Sequence, residues 1–151
     1  MSTLERFEDI EGWRKARELV GLVYPLTRRG AFARDFALRD QLLRALISVP
    51  GNIAEGFERE GNKEFINFLT IAKASLAEAR TYLYLAADQN YITKHEFEQI
   101  AGLATDTAKL IGGFIRYLQA AEISGRKFQR FNRSRSTGGT ETRNSKLQTQ
   151  N

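Results

Sequence analysis

Residues 48–57 read Ser48-Val49-Pro50-Gly51-Asn52-Ile53-Ala54-Glu55-Gly56-Phe57. Apolar residues recur through and before this stretch at helical spacing (Leu42, Leu46, Val49, Ile53, Phe57), so the pattern predicts a helix. Yet Pro50 has no N–H to offer the carbonyl of Leu46, and its ring crowds that turn. A proline in a helix interior costs about 3 kcal/mol, and a glycine about 1 kcal/mol, relative to alanine. A polar stripe, Ser48, Asn52, Glu55 and Arg59, runs along one face at i, i+4, i+7 and i+11. The expectation is a kinked helix with one apolar and one hydrogen-bonding face. In one reading Ser48 or Asn52 supplies local hydrogen bonds to the disturbed turn and Glu55 pairs with Arg59. In the other, the stripe faces a partner protein or an oligomer interface.

Working outward, this helix spans about residues 38–59 and follows a loop at 30–37. A first helix is expected from about Ile10 to Arg28, with Asp9 as N-cap and Arg28-Arg29-Gly30 as its stop signal. Its stripe is Trp13, Ala16, Val20, Val23 and Tyr24, widened by Leu19, Leu22 and Leu26, with Trp13 read as a core anchor. Gly61-Asn62 opens a third helix, Asn62 being the expected N-cap. There Phe65, Leu69, Ala72, Leu76, Ala79, Leu83 and Ala86 step by 4 and 3 in turn, a heptad seam. Phe68, Ile71 and Tyr82 form a second apolar flank. A short turn at residues 88–92 makes the third and fourth helices antiparallel neighbours. Thr93 and Glu96 form a capping box for the fourth helix, whose seam is Ile100, Ala104, Thr107, Ile111, Phe114, Leu118 and Ala121. Gly102, Gly112 and Gly113 in it suggest close helix approach, or simple tolerance. Nothing resembles a strand. The predicted fold is all-α, an up-down-up-down antiparallel four-helix bundle over residues 1–121.

Residues 122–151 have a different composition. Ser, Thr, Gln, Asn, Gly and Arg dominate, the helical period ends, and the segment is expected to be disordered from about residue 124. Charge divides at the same place. Residues 1–121 hold 16 basic and 16 acidic side chains, whereas residues 122–151 hold 7 basic and 2 acidic, so the whole net charge of +5 lies in the tail. Within it, Arg126, Lys127, Arg130, Arg133 and Arg135 interleave with Phe128 and Phe131. Arginine pairs with phosphates, and phenylalanine can stack on unpaired bases, so these are the candidate nucleic-acid-binding residues. The bland alternative is a solubilising terminus.

Several chemistries find no support. Without cysteine there is no disulfide, thiolate metal site or cysteine nucleophile, and one histidine makes no His-pair site. Glu55, Glu64 and Glu78 could converge as in di-iron bundles, but no Glu-x-x-His motif accompanies them, since position 92 is Ile92. Phosphate-binding glycine loops and nucleophile elbows are missing too. The expectation is a non-enzyme with no cofactor and no metal. The N-terminal residues have no apolar signal region, and no run is long enough to span a membrane, which points to the cytoplasm.

Three blocks resemble a known family: Phe7-Glu8-Asp9-Ile10 with Trp13 and Lys15-Ala16; Ser48-Val49-Pro50 with Asn52-Ile53-Ala54-Glu55-Gly56; and Lys63-Glu64-Phe65, Phe68-Leu69, Ile71-Ala72, Ser75-Leu76 and Glu78. In order and spacing they are similar to the four-helix proteins encoded in intervening sequences of bacterial 23S ribosomal RNA. The resemblance covers residues 5–121, with Ser48, Pro50, Asn52, Glu55 and Gly56 as its structural motif. Gly51 stands where the family usually has serine or alanine, Arg39 where threonine often opens the second helix, and Ala74 where glycine is usual. Members resemble the accessory protein of diversity-generating retroelements, a homopentamer that binds nucleic acid and works with a reverse transcriptase. The resemblance thus implies a ring-like homo-oligomer with no established enzymatic activity. Two functions follow as expectations: an oligomer that binds RNA or DNA through its tails, or a scaffold that docks a protein such as a reverse transcriptase. If the tail were dispensable, Arg14, Lys15, Arg17, Arg44 and Arg59 on the bundle would be the next candidates.

Overall fold

In the computed structural model, residues 4–125 are described. They form four α-helices: α1 (Glu11–Leu26), α2 (Phe36–Glu58), α3 (Asn62–Asp88) and α4 (Lys94–Ile123), with 3-10 turns at Phe7–Asp9 and Phe32–Arg34. There is no β-strand among the described residues. α1 and α3 each pack on both α2 and α4, the α2–α3 pairing being the most extensive. With the short connections, this makes the antiparallel bundle that the sequence predicts. The basic segment from Arg126 onward, and with it the expectation of disorder, lies outside the described residues.

The seams become the core. All seven seam residues of α3 are buried to 1% exposure or less. In α4 the seam is buried except at Phe114, which is half-buried and meets Phe65 edge-on with ring centroids 5.2 Å apart. α1 departs from the expected stripe. Its buried residues are Gly12, Ala16, Leu19, Val23 and Leu26, a 4-3-4-3 seam rotated away from Trp13, Val20 and Tyr24. Small residues at 12 and 16 let α1 approach its neighbours, and Gly12 faces Ile111 and Leu110 of α4. Trp13 is therefore at the rim and not a core anchor: half-buried, edge-on to Phe7 at 5.3 Å, with the Arg17 guanidinium 5.8 Å from its ring centre.

The helix ends correct several expectations. Asp9 does not cap α1. Its carboxylate accepts the Glu5 and Arg6 N–H groups within the preceding 3-10 turn, and Ile10 is the N-cap. α2 starts two residues earlier than read, because Asp35 caps it by accepting the Leu38 N–H at 3.1 Å. Gly61, at φ 89°, precedes α3, and Asn62 is its first helical residue, buried to 5%. The α4 capping box is as predicted, with Thr93 and Glu96 exchanging hydrogen bonds. α3 ends where Asn90 turns left-handed at φ 59°, and the N–H groups of Asn90 and Tyr91 close onto the carbonyls of Ala87 and Ala86. Gly102 faces open space, and Gly112 and Gly113 meet only the flexible ends of Lys73 and Arg116, so no helix approaches closely there. No helix among the described residues is long and apolar enough to cross a membrane.

Candidate functional site

α2 runs through Pro50 without ending. Its motif residues divide into an inward set and an outward set. Gly56 belongs to the first. A Cβ on it would lie 2.7 Å from the Phe68 Cβ and 2.8 Å from the Phe65 ring, so glycine is what lets α2 lie against α3 here. Val49 and Ile53 fill the core beside it at 0% exposure.

The outward set crosses between the helices. The Asn52 side-chain amide donates to the Ser48 carbonyl and the Ser48 hydroxyl, both at 2.8 Å, and Ser48 Oγ lies 2.9 Å from Ser75 Oγ on α3. The local bond from Asn52 thus goes to Ser48's carbonyl, not to that of Leu46, which Pro50 leaves without its usual donor. One turn further, Arg59 donates to Glu55 at 2.8 Å as the spacing predicts, and its guanidinium lies 5.3 Å from the Phe68 ring centre. Hydrogen bonding to Glu55 raises the Arg59 pKa above its ordinary value. Both partners are exposed, so the pair contributes little stability. Ser75, which completes this chain from α3, was present in the sequence but not paired with Ser48.

A second polar cluster ties two connections together at the other end of the bundle. Arg29 donates twice to Glu96, both bonds 2.8 Å, and Tyr91 donates its hydroxyl to Asp35 at 2.8 Å while stacking on Phe32 at 4.9 Å. The Arg29 guanidinium, then the Thr93 backbone N–H, hold the Glu96 carboxyl down to about 2. The hydrogen bond to Asp35 raises the Tyr91 phenol, keeping it a donor. Every group has its partner, so this cluster is a clasp and leaves nothing free for a ligand.

The remaining expected residues do not converge. Arg14 is committed to the carbonyls of Glu8 and Asp9, Lys15 to Glu18, and Arg17 to Trp13. Arg44 is exposed on α2. Glu55, Glu64 and Glu78 do not gather, and among the described residues no group of three His, Asp or Glu side chains could hold a metal. His95 is exposed in the first turn of α4. Arg126, Lys127, Phe128, Arg130, Phe131, Arg133 and Arg135 lie outside the described residues.

Comparison with known proteins agrees with the bundle and the motif. Among proteins with curated descriptions none matches the chain. A solved structure described as a protein with unknown function from the S23 ribosomal protein family of Bacteroides thetaiotaomicron superposes with a TM-score of 0.64 at 28% identity. The match covers 70% of this chain and 95% of that one. The family model described as 23S rRNA-intervening sequence protein matches residues 8–113, which contain α1, the Ser48–Phe57 motif, α3 and most of α4. The chain belongs to the family of 23S rRNA-intervening sequence proteins.

Proposed function

We propose that this chain is a non-catalytic, self-associating bundle that binds nucleic acid through the basic segment following α4. The observation that carries this reading is the division of charge. The 121 residues containing the bundle hold equal numbers of basic and acidic groups, and the next 30 hold the entire excess of +5. Arg126, Lys127, Arg130, Arg133 and Arg135 alternate with Phe128 and Phe131, giving phosphate contacts and base-stacking rings together. The family takes its name from intervening sequences of 23S rRNA, which lends support to a reading that involves nucleic acid. The homopentamer implied by resemblance, and the related retroelement role, would bring several such segments to one strand and multiply weak contacts. No cofactor or metal takes part, and the cytoplasm is the expected compartment.

The test is binding of RNA and DNA oligonucleotides by fluorescence anisotropy across a salt series. The full chain is compared with one ending at Gly125. Affinity should fall steeply as salt rises, and the shortened chain should lose most of it. Full affinity in the shortened chain would move the site onto the bundle.

A second reading rests on the same charge count. A bundle of net zero charge suits a protein-docking scaffold, with a reverse transcriptase as the kind of partner the resemblance implies. Unchanged anisotropy of RNA and DNA at low salt would select this reading over the first.

A further inference from the structure

Residues 1–121 hold 16 basic side chains, and nine of them are committed to a carboxylate, a backbone carbonyl or an aromatic ring. Of the remaining seven, four gather on the face where α3 meets α4: Lys73 and Arg80 from α3, Lys109 and Arg116 from α4. All four are exposed, and none has an ion pair, side-chain hydrogen bond or ring contact among the described residues. The Lys73 ammonium and an Arg116 guanidinium nitrogen converge on Gly112, 3.6 Å and 3.5 Å from where a Cβ on it would stand. The two charges are therefore no more than about 7 Å apart. Like charges held that close with no anion between them repel, and a bound anion relieves the repulsion.

The four cations form a track. Lys73 and Arg80 are two turns apart on the α4 side of α3, and Lys109 and Arg116 are two turns apart on the outer shoulder of α4. The helices are antiparallel and Lys73 is level with Gly112, so Lys109 stands about 4.5 Å, and Arg80 about 10.5 Å, further along. Between them Thr70, Ala77, Thr105 and Ala108 are small and uncharged. Asp106, three residues before Lys109, makes no ion pair with it. One turn beyond Arg80 is Tyr84, 59% exposed, its ring 4.9 Å from that of the half-buried Phe97. On this face carboxylates resume only past that ring, at Asp88 and at Glu98, which Lys94 holds at 3.9 Å.

We infer that this groove holds the phosphate backbone of a single-stranded nucleic acid, with Tyr84 stacking on an unpaired base. Lys73 and Arg116 together grip one phosphate over Gly112, and Lys109 and Arg80 meet the phosphates that follow. A cationic track that ends on an exposed ring suits an unpaired strand in particular: the charges follow the backbone, and every base has a face to offer the ring. A duplex hides those faces and would use the charges alone. The groove is also within reach of the segment after α4. Arg116 lies two turns before α4 ends at Ile123, and Arg126–Arg135 continues from that helix, so one strand can engage both.

This inference rests on the nucleic-acid reading above, but not on the basic tail. The test is anisotropy of labelled oligo(dT) and oligo(U), and of a DNA duplex, across a salt series. Lys73→Gln with Arg116→Gln in the full chain removes two phosphate contacts. It should weaken single-strand binding and make the slope of log K against log salt shallower by about 1.4, at about 0.7 per contact. Arg28→Gln with Arg34→Gln removes the same charge from exposed positions away from the groove and should leave that slope in place. Tyr84→Leu, which keeps an apolar side chain on Phe97, should cost single-strand affinity about 5- to 100-fold, the value of one stacked base, and leave duplex affinity unchanged. All positions changed are exposed, so the circular dichroism spectrum should not move. A groove pair that behaves as the control pair, or Tyr84→Leu binding single strands at full strength, would overturn the groove and leave the tail reading standing. Binding that survives in a chain ending at Gly125 and is abolished by the groove pair would do the reverse. No binding of any oligonucleotide by the full chain would remove both.

Discussion

Gly51 and Gly56 lie on the same helix with opposite surroundings. Nothing comes within 4 Å of a Cβ built on Gly51, while one on Gly56 collides with Phe68 and Phe65. Gly51→Ala should therefore raise stability by about 0.5–1 kcal/mol, the helix-propensity difference. Gly56→Ala should lower it by about 1–3 kcal/mol through overpacking, both read from denaturant midpoints. Glu96 gives a second prediction at this scale. Its folded carboxyl is depressed to about 2 from an ordinary value near 4.5. Its contribution is thus complete above about pH 4.5 and is lost as pH falls toward 2. Glu96→Gln should weaken the protein at neutral pH and flatten the acid loss over that window, as thermal midpoints across pH would show. Sequence alone revealed the Thr93–Glu96 cap but not the Arg29 half of this cluster. A capping box is local, whereas Arg29 is 67 positions away.

At the scale of the element, legibility followed periodicity. α3 and α4 were readable because their seams repeat without interruption, and burial reproduces the α3 seam residue for residue. In α1 the expected stripe holds the buried Ala16, Leu19, Val23 and Leu26 but also Trp13, Val20 and Tyr24, which outweigh Gly12 in any count of apolar bulk. Packing selected the small residues, since they bring the helix axes close. The cap of α3 was misplaced for a related reason. Asn62 has the composition of a cap, but Gly61 alone accepts φ 89° without strain, so the turn fell there. α2 supplies the prediction. It is continuous through Pro50, so Pro50→Ala should leave the far-UV helical signal unchanged. Restoring the donor to Leu46 should raise stability, by up to about 3 kcal/mol if the environment accepts it. A loss of stability, measured by chemical denaturation, would show that the proline ring is used in packing.

For the whole molecule, the core of the described residues closes within the bundle. Ala121 is the last buried residue of α4, and Ile123 is 90% exposed. Ending the chain at Gly125 should consequently leave the calorimetric unfolding temperature in place while changing nucleic-acid binding. The bundle was legible in the sequence because each helix announces its own buried face. What joins the helices at one end was not, because Tyr91 meeting Asp35 and Arg29 meeting Glu96 depend on two separate connections sharing that end. The same is true of Ser48 and Ser75, which become neighbours only once α2 and α3 are aligned.

That clasped end has a mechanical consequence. Both connections that it joins lie at one pole, while α1 begins and α4 ends at the opposite pole as adjacent helices. Load applied through the two ends of the described chain therefore pulls α1 and α4 apart from the open pole, parting contacts a few at a time instead of shearing them together. The bundle should yield to tension at low force, and the bidentate Arg29–Glu96 link would be among the last to part.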